Sequence, residues 1–265
     1  MKVNDLSFLD QPWILKFIFY PRRDPRKSSA KNAEDHFIEV EDGISIGCRF
    51  HVRNPDCPTI IYFHGNGETV GDYDNIAPFY NRMKINLFVT DYRGYGLSGG
   101  EPTVTKMIRD ARVIFDALDD IIEEGGYNKD IFIMGRSLGS VPAIELESLY
   151  PTRFKGMIIE SGLAGVFCLS TGMSTFLPGL NMKINAAKGI EEFNKKIGGI
   201  HLPTLIIHAQ NDLLVPLIAG RELYDRIPSE DKRLFIVPNA DHNTLIAVGG
   251  ERYFRAIGEF VFGHI

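Results

Sequence analysis

Gly135-Arg136-Ser137-Leu138-Gly139 stands between an apolar run, Ile131-Phe132-Ile133-Met134, and a helix-like stretch from Leu138 to Leu149. A strand, a sharp turn and a helix in that order push the serine Oγ out at the top of a sheet and aim the next N–H at the same space. Glycine on either side meets a steric need, because a Cβ there would strike strand or helix. The chain carries a second match, Gly96-Leu97-Ser98-Gly99-Gly100. Ser98 lies well past the strand ending near Asp91, and Gly-Gly-Glu-Pro after it cannot open a helix at once. Ser137 is the candidate nucleophile and Ser98 is not.

A serine hydroxyl is a weak nucleophile at neutral pH and needs a base. Histidine titrates near the working pH and is the usual one. In a sheet with parallel strands, sites form at the carboxyl ends, so the base should follow a strand. Of seven histidines, His242 does so, in Pro238-Asn239-Ala240-Asp241-His242-Asn243 beyond the run Arg233–Val237. His36, His51, His201 and His264 lack that placement. His64 and His208 end strands but precede glycine- or alanine-containing turns, as loop supports do. An acid must then orient the imidazole. Asp212 follows the run Thr204–His208 in Gln210-Asn211-Asp212-Leu213-Leu214-Val215-Pro216. Glu160, ending the run Gly156–Ser161, is the rival acid, and Asp241 reads as structural.

A tetrahedral intermediate calls for two donors, each worth about 2.7–4 kcal/mol. The Leu138 N–H supplies one. The second is expected from His64-Gly65-Asn66-Gly67-Glu68, with Asn66 best placed, although Asn-Gly also suits a plain turn.

The elements needed to position these groups are legible in outline. After residue 36, short β-branched or aromatic runs alternate with amphipathic helical ones, which predicts a mostly parallel central sheet with helices on both faces. Phe37–Val40 and Ile44–Val52 read as an opening hairpin. Thr59–His64 and Asn86–Asp91 are strands around a helix at Tyr73–Lys84, and Thr103–Glu124 is a long amphipathic helix. Helices from about Leu217 to Arg226 and near Glu251–Phe262 close the series. Residues 163 to 200 break this rhythm with apolar residues such as Phe167, Leu169, Met173, Phe176 and Leu177, which predicts a small lid. The chain divides into an apolar and basic segment, 1–36, and one domain, 37–265, bearing that lid.

Net charge is −5 over 265 residues, with no basic field suited to nucleic acid. Cys48, Cys57 and Cys168 are irregularly spaced, which implies neither a disulfide framework nor a metal cluster and fits a reducing, cytoplasmic setting. The stretch Trp13 to Tyr20 is apolar except for Lys16, with Arg22, Arg23, Arg26 and Lys27 close behind. It lacks the charge order and cleavage site of a secretory signal. Packing on the body is expected, with weak membrane-surface contact through residues 13–27 as the alternative.

Taken together, His64-Gly65-Asn66-Gly67, Asp91-Tyr92-Arg93-Gly94-Tyr95-Gly96-Leu97-Ser98-Gly99, Gly135-Arg136-Ser137-Leu138-Gly139-Ser140, Asp212-Leu213-Leu214-Val215-Pro216 and Asp241-His242 resemble the α/β-hydrolase superfamily. The likeness runs over about residues 37 to 262. It is greatest to the small α/β-hydrolase-domain serine hydrolases that include esterases, thioesterases and protein depalmitoylases. The resemblance implies the α/β-hydrolase fold. It also implies Ser137 as nucleophile, Asp212 as acid, His242 as base, Asn66 and Leu138 as oxyanion hole, and no metal or organic cofactor. It implies a small-molecule ester or thioester substrate cleaved through an acyl-enzyme, and it makes Asp91 to Gly99 a structural loop. Gln210 stands where the group often has glycine. Glu68 is an unusual carboxylate in the oxyanion loop and is expected to face solvent. Pro142 is tolerable early in its helix. Peptide, lactone or carbon–carbon cleavage would use the same triad. A dinucleotide site is suggested by Gly94-Tyr95-Gly96-Leu97-Ser98-Gly99, but a helix should begin inside that motif, and Gly99-Gly100-Glu101-Pro102 delays it.

Overall fold

The computed structural model describes residues 6–28, 30, 32–164 and 180–265, without the side chains of 180–186. Its strands are β1 (Ala33–Glu41), β2 (Ile44–His51), β3 (Thr59–Phe63), β4 (Asn86–Thr90), β5 (Ile131–Arg136), β6 (Gly156–Glu160), β7 (Thr204–Ala209) and β8 (Lys232–Val237). They form one sheet in the order β1-β2-β4-β3-β5-β6-β7-β8. β1 and β2 pair antiparallel, as does β2 with β4. From β4 through β3 to β8 every pairing is parallel. The fold is that of an α/β-hydrolase.

Parallel neighbours require crossover segments, and helices supply them. They are α2 (Ala77–Arg82), α3 (Val104–Glu124), α4 (Ser140–Leu149), α5 (Leu180–Ile197) and α6 (Leu217–Arg226). α1 (Pro12–Ile18) precedes the sheet and α7 (Leu245–Phe262) ends the chain. Strand side chains alternate between two cores. Ile61, Phe63, Ile133, Ile159 and Ile206 pack on one face against α3 and α4 residues such as Ile114, Leu118, Ile144 and Leu146. Ile60, Tyr62, Met134, Ile158 and Ile207 pack on the other against Tyr80 of α2 and Tyr253, Phe254 and Ile257 of α7. This continuous burial explains why the central strands read as unbroken apolar runs.

Local departures from expectation have local causes. The expected helix at Tyr73–Lys84 is a 3-10 turn at Val70–Asn75 followed by the shorter α2, with Pro78 in its first turn. α7 is two helical pieces divided by a kink at Gly250, at φ 49°: the piece after the kink is the helix expected near Glu251–Phe262, and a further piece from Leu245 precedes it. The N-terminal segment packs on the body through Phe8, Ile14 and Phe19, all buried, while Phe17 and Tyr20 are 69% and 60% exposed. Of the expected lid, residues 165–179, including Phe167, Cys168, Leu169, Met173, Phe176 and Leu177, lie outside the described residues. Among the described residues no helix is long and apolar enough to cross a membrane.

Candidate active site

β5 ends at Arg136, and Ser137 follows in the left-handed region at φ 51°, at the head of a 3-10 turn that runs into α4. A serine pays a strain cost of order 1–3 kcal/mol to sit there, and only the surrounding structure holds it. Both flanking glycines are sterically required. A Cβ on Gly135 would lie 2.3 Å from the Gly139 carbonyl oxygen, and one on Gly139 would lie 2.0 Å from that of Phe63. β5, its turn and the end of β3 therefore fit against one another only through bare backbone. Ser140 adds a support the sequence reading missed: its hydroxyl donates to the Ser137 carbonyl at 2.7 Å and accepts from the Leu163 N–H at 3.0 Å. Pro142 sits in the first turn of α4, where no intrahelical donor is lost.

Asp212 and His242 come together at the carboxyl ends of β7 and β8. His242 Nδ1 lies 2.7 Å from Asp212 Oδ2. Asp212 Oδ1 accepts from the N–H groups of Leu214 (3.0 Å) and Val215 (2.8 Å), so the carboxylate is fixed from both sides. Burial opposes its charge, but the His242 hydrogen bond and the Val215 N–H outweigh that and hold its pKa below the ordinary carboxylate value. An acid that remains ionised keeps Nδ1 in the donor role and leaves Nε2 free to accept a proton.

The rival placements are occupied elsewhere. His208 is buried with Nε2 2.8 Å from the Val215 carbonyl oxygen, supporting the acid loop. His64 is fully buried between Asp91 Oδ1 (3.1 Å) and the Gly65 carbonyl oxygen (2.8 Å). Asp241 caps its own turn through the N–H groups of Asn243 and Thr244. Ser98 is buried, and its hydroxyl accepts from the Gly47 N–H at 2.9 Å. After Gly99 the chain reaches α3 only at Val104, so no helix N-terminus meets the glycine pattern at 94–99. Among the described residues no group of three or more His, Cys, Asp or Glu side chains could hold a metal ion.

The loop after β3 departs from expectation in two ways. The Asn66 side chain is committed to the N-terminal segment: its amide donates to the Ile18 carbonyl at 2.7 Å, and its carbonyl accepts from the Tyr20 N–H at 2.9 Å and the Tyr95 hydroxyl at 2.6 Å. What Asn66 has to offer a ligand is its backbone N–H. Glu68 does not face solvent as expected. It turns inward, accepting from the Gly65 N–H (2.9 Å), the Tyr73 hydroxyl (2.7 Å) and Arg136 Nε (2.7 Å). Burial works against its charge, yet the Arg136 and His64 charges and these hydrogen bonds lower its pKa to about 2. The carboxylate is thus neutralised by a neighbour of Ser137.

A family model described as serine aminopeptidase, S33 matches residues 54–167 and 173–247. The chain belongs to this family of α/β-hydrolases. Alpha/beta hydrolase domain-containing protein 17B of Homo sapiens is 28% identical over 242 residues, spanning 88% of this chain and 77% of its own. Alpha/beta hydrolase domain-containing protein WAV2 of Arabidopsis thaliana is 25% identical over 245 residues, 86% and 78% of the two chains. The esterase Pf2001 of Pyrococcus furiosus superposes with a TM-score of 0.73 at 22% identity over 92% of this chain and 98% of its own, a likeness of fold. The protein is a serine hydrolase-type α/β-hydrolase.

In this hydrolase the residue that sequence reasoning overlooked is Arg136, the variable position of the elbow. Its guanidinium, 8% exposed, also donates to Glu160 Oε1 at 3.0 Å and to the His242 carbonyl at 2.9 Å. Glu160, read as the rival acid, is spent here and on the Tyr253 hydroxyl at 2.6 Å. A signal existed: a buried charge needs a partner. Arg136 and Glu160 end two strands that pair in register, one directly opposite the other.

Proposed function

We propose that the hydrolase cleaves a carboxylic ester or thioester of a small molecule through an acyl-enzyme. Ser137 attacks the carbonyl as His242 Nε2 takes its proton, and Asp212 steadies the imidazolium. The N–H groups of Leu138 and Asn66 receive the oxyanion. His242 then protonates the leaving group, and a water molecule repeats the sequence to release the acid. The observation that carries this reading is the 2.7 Å contact between His242 Nδ1 and Asp212 Oδ2, while Asp212 Oδ1 accepts from two backbone N–H groups. It lies at the end of the sheet where Ser137 occupies a strained turn. The contact of Arg136 with the His242 carbonyl brings the two loops together.

The family description names an aminopeptidase, and that alternative needs a carboxylate free to receive a substrate ammonium. Glu68 and Glu160, beside the elbow, are both engaged by Arg136, which favours the ester reading. Buried, unpaired Cys48 and Cys57 fit a reducing, cytoplasmic setting. Exposed Phe17 and Tyr20 are what the N-terminal segment would offer a membrane surface, and vesicle co-sedimentation with and without residues 1–30 reads that contact.

The test is fluorophosphonate labelling, with turnover of 4-nitrophenyl esters compared with aminoacyl 4-nitroanilides. Wild type is expected to label and to turn over the esters, and Ser137→Ala to do neither, with a loss of about 10⁴-fold or more in kcat. Equal labelling of the two proteins would end the proposal, and preference for the anilides would move it to the peptidase.

A further inference from the structure

We infer that Arg136 is a positioning residue. One buried guanidinium fixes the His242 loop and the Gly65–Glu68 loop relative to Ser137, its neighbour in the chain. The inference rests on the assignment of Ser137 and His242 proposed above.

The guanidinium meets three acceptors from three separate parts of the fold. Nε donates to Glu68 Oε1 at 2.7 Å, Nη1 to Glu160 Oε1 at 3.0 Å, and Nη2 to the His242 carbonyl at 2.9 Å. A guanidinium is planar, with its donors in a rigid fork, so three bonds in different directions leave it no freedom. Two of the contacts continue outward. Glu68 passes the restraint to the Gly65 N–H and the Tyr73 hydroxyl through Oε2, and so reaches the backbone that turns Asn66. Glu160 is held by its register opposite Arg136 and by the Tyr253 hydroxyl. One connected path therefore runs from the backbone of the candidate base, through the residue before the candidate nucleophile, to the loop of the candidate oxyanion donor.

A restraint of this kind acts on rate, because misplacing a reacting group by about 1 Å can cost about 100-fold. A purely structural role differs in what it predicts. If Arg136 served only to neutralise Glu68 and Glu160, any buried cation would do. Lysine keeps the charge but offers one compact ammonium that cannot span the three acceptors.

The experiment compares wild type, Arg136→Lys and Ser137→Ala by thermal melting, fluorophosphonate labelling rate, and kcat and KM on 4-nitrophenyl butyrate. Arg136→Lys is expected to stay folded, with KM within about threefold of wild type and with kcat and labelling rate lowered about 10- to 100-fold. A folded Arg136→Lys that labels and turns over within twofold of wild type overturns the inference. Should that variant not fold, Glu68→Ala keeps Arg136 and Glu160 paired while cutting the link to Gly65. Lower kcat at unchanged KM is then expected, and unchanged kcat overturns the inference. Absence of labelling in wild type would defeat the serine-hydrolase reading itself, whereas labelled wild type with an indifferent Arg136→Lys defeats only the clamp.

Discussion

Two buried guanidiniums in this molecule are built alike and sit in different places. Arg49, in β2, donates through Nε to Asp35 Oδ1 at 2.6 Å, through Nη1 to both oxygens of Asp74 at 2.9 Å, and through Nη2 to the Arg26 carbonyl at 3.0 Å. Arg136, in β5, likewise meets two carboxylates and one backbone carbonyl. In each case one carboxylate stands directly opposite on the neighbouring strand: Asp35 faces Arg49 and Glu160 faces Arg136. The difference lies in what else is tied. Arg49 joins the antiparallel edge to the Val70–Asn75 turn and the N-terminal segment, whereas Arg136 joins the loops of the candidate site. The same interaction thus serves stability near the antiparallel edge of the sheet and geometry at the ends of two central strands.

The largest expected effect that sharpens this contrast is at Arg49. Removing one partner of a buried ion pair costs about 3–5 kcal/mol. Because Asp35 and Asp74 remain 17% and 28% exposed, Arg49→Met is expected near the lower figure. Melting should fall accordingly, while kcat per fluorophosphonate-titrated site stays within twofold of wild type. A loss of kcat as large as that expected of Arg136→Lys would erase the distinction between the two arginines.

Acid acts on the two carboxylates around Arg136 with opposite signs, and the pH range identifies the group. Glu68 has a folded pKa of about 2 against an ordinary 4.5. A depressed carboxylate contributes stability that is full above its unfolded value and is lost as pH falls from about 4.5 toward 2. Glu68→Gln should therefore melt below wild type at pH 6 and converge with it near the bottom of that range. Glu160 has the opposite sign: burial outweighs the Arg136 charge and raises its pKa, so its ionisation costs stability at neutral pH and acid relieves that cost. A gap between wild type and Glu68→Gln that is constant from pH 6 to pH 3 would mean that the Glu68 charge is not what the pair contributes.

Much of the molecule was legible because its signals are local. Two small residues around Ser137, a strand before it and a helix after it identify a turn whose sterics the coordinates bear out at Gly135 and Gly139. Ser98 was separable from Ser137 because a following Gly-Gly-Glu-Pro cannot start a helix, and the structure buries it in a backbone bond to Gly47. The misreadings concern side chains whose partners are distant in sequence. Glu68 was expected in solvent because an inward negative charge would disfavour an oxyanion; the cation that neutralises it, Arg136, lies 68 positions away. The Asn66 side chain is claimed by residues 18 to 20, whose course no local rule predicts. Strand register was the missing information, since it sets Arg136 against Glu160 and Arg49 against Asp35.

The smallest effect expected concerns the Tyr253 hydroxyl, one of two that donate to the carboxylates around Arg136. Asp35 and Asp74 are partly wetted, so water can replace a lost partner there. Glu160 is fully buried and receives its second hydrogen bond from the Tyr253 hydroxyl at 2.6 Å. Tyr253→Phe preserves the ring in the apolar layer of α7 and deletes only that donor, leaving Glu160 Oε2 without it in a site closed to solvent. A hydrogen bond to a charged group is worth about 1.5–3 kcal/mol, and protonation of Glu160, whose pKa is already raised, offsets part of the loss. Melting should therefore drop by the equivalent of about 1–2 kcal/mol, with the deficit shrinking as pH falls and Glu160 takes up its proton. Because Arg136 keeps its three acceptors, kcat should fall far less than in Arg136→Lys. A Tyr253→Phe protein that melts with wild type at neutral pH would mean that water reaches Glu160, and the two clusters would then differ only in position.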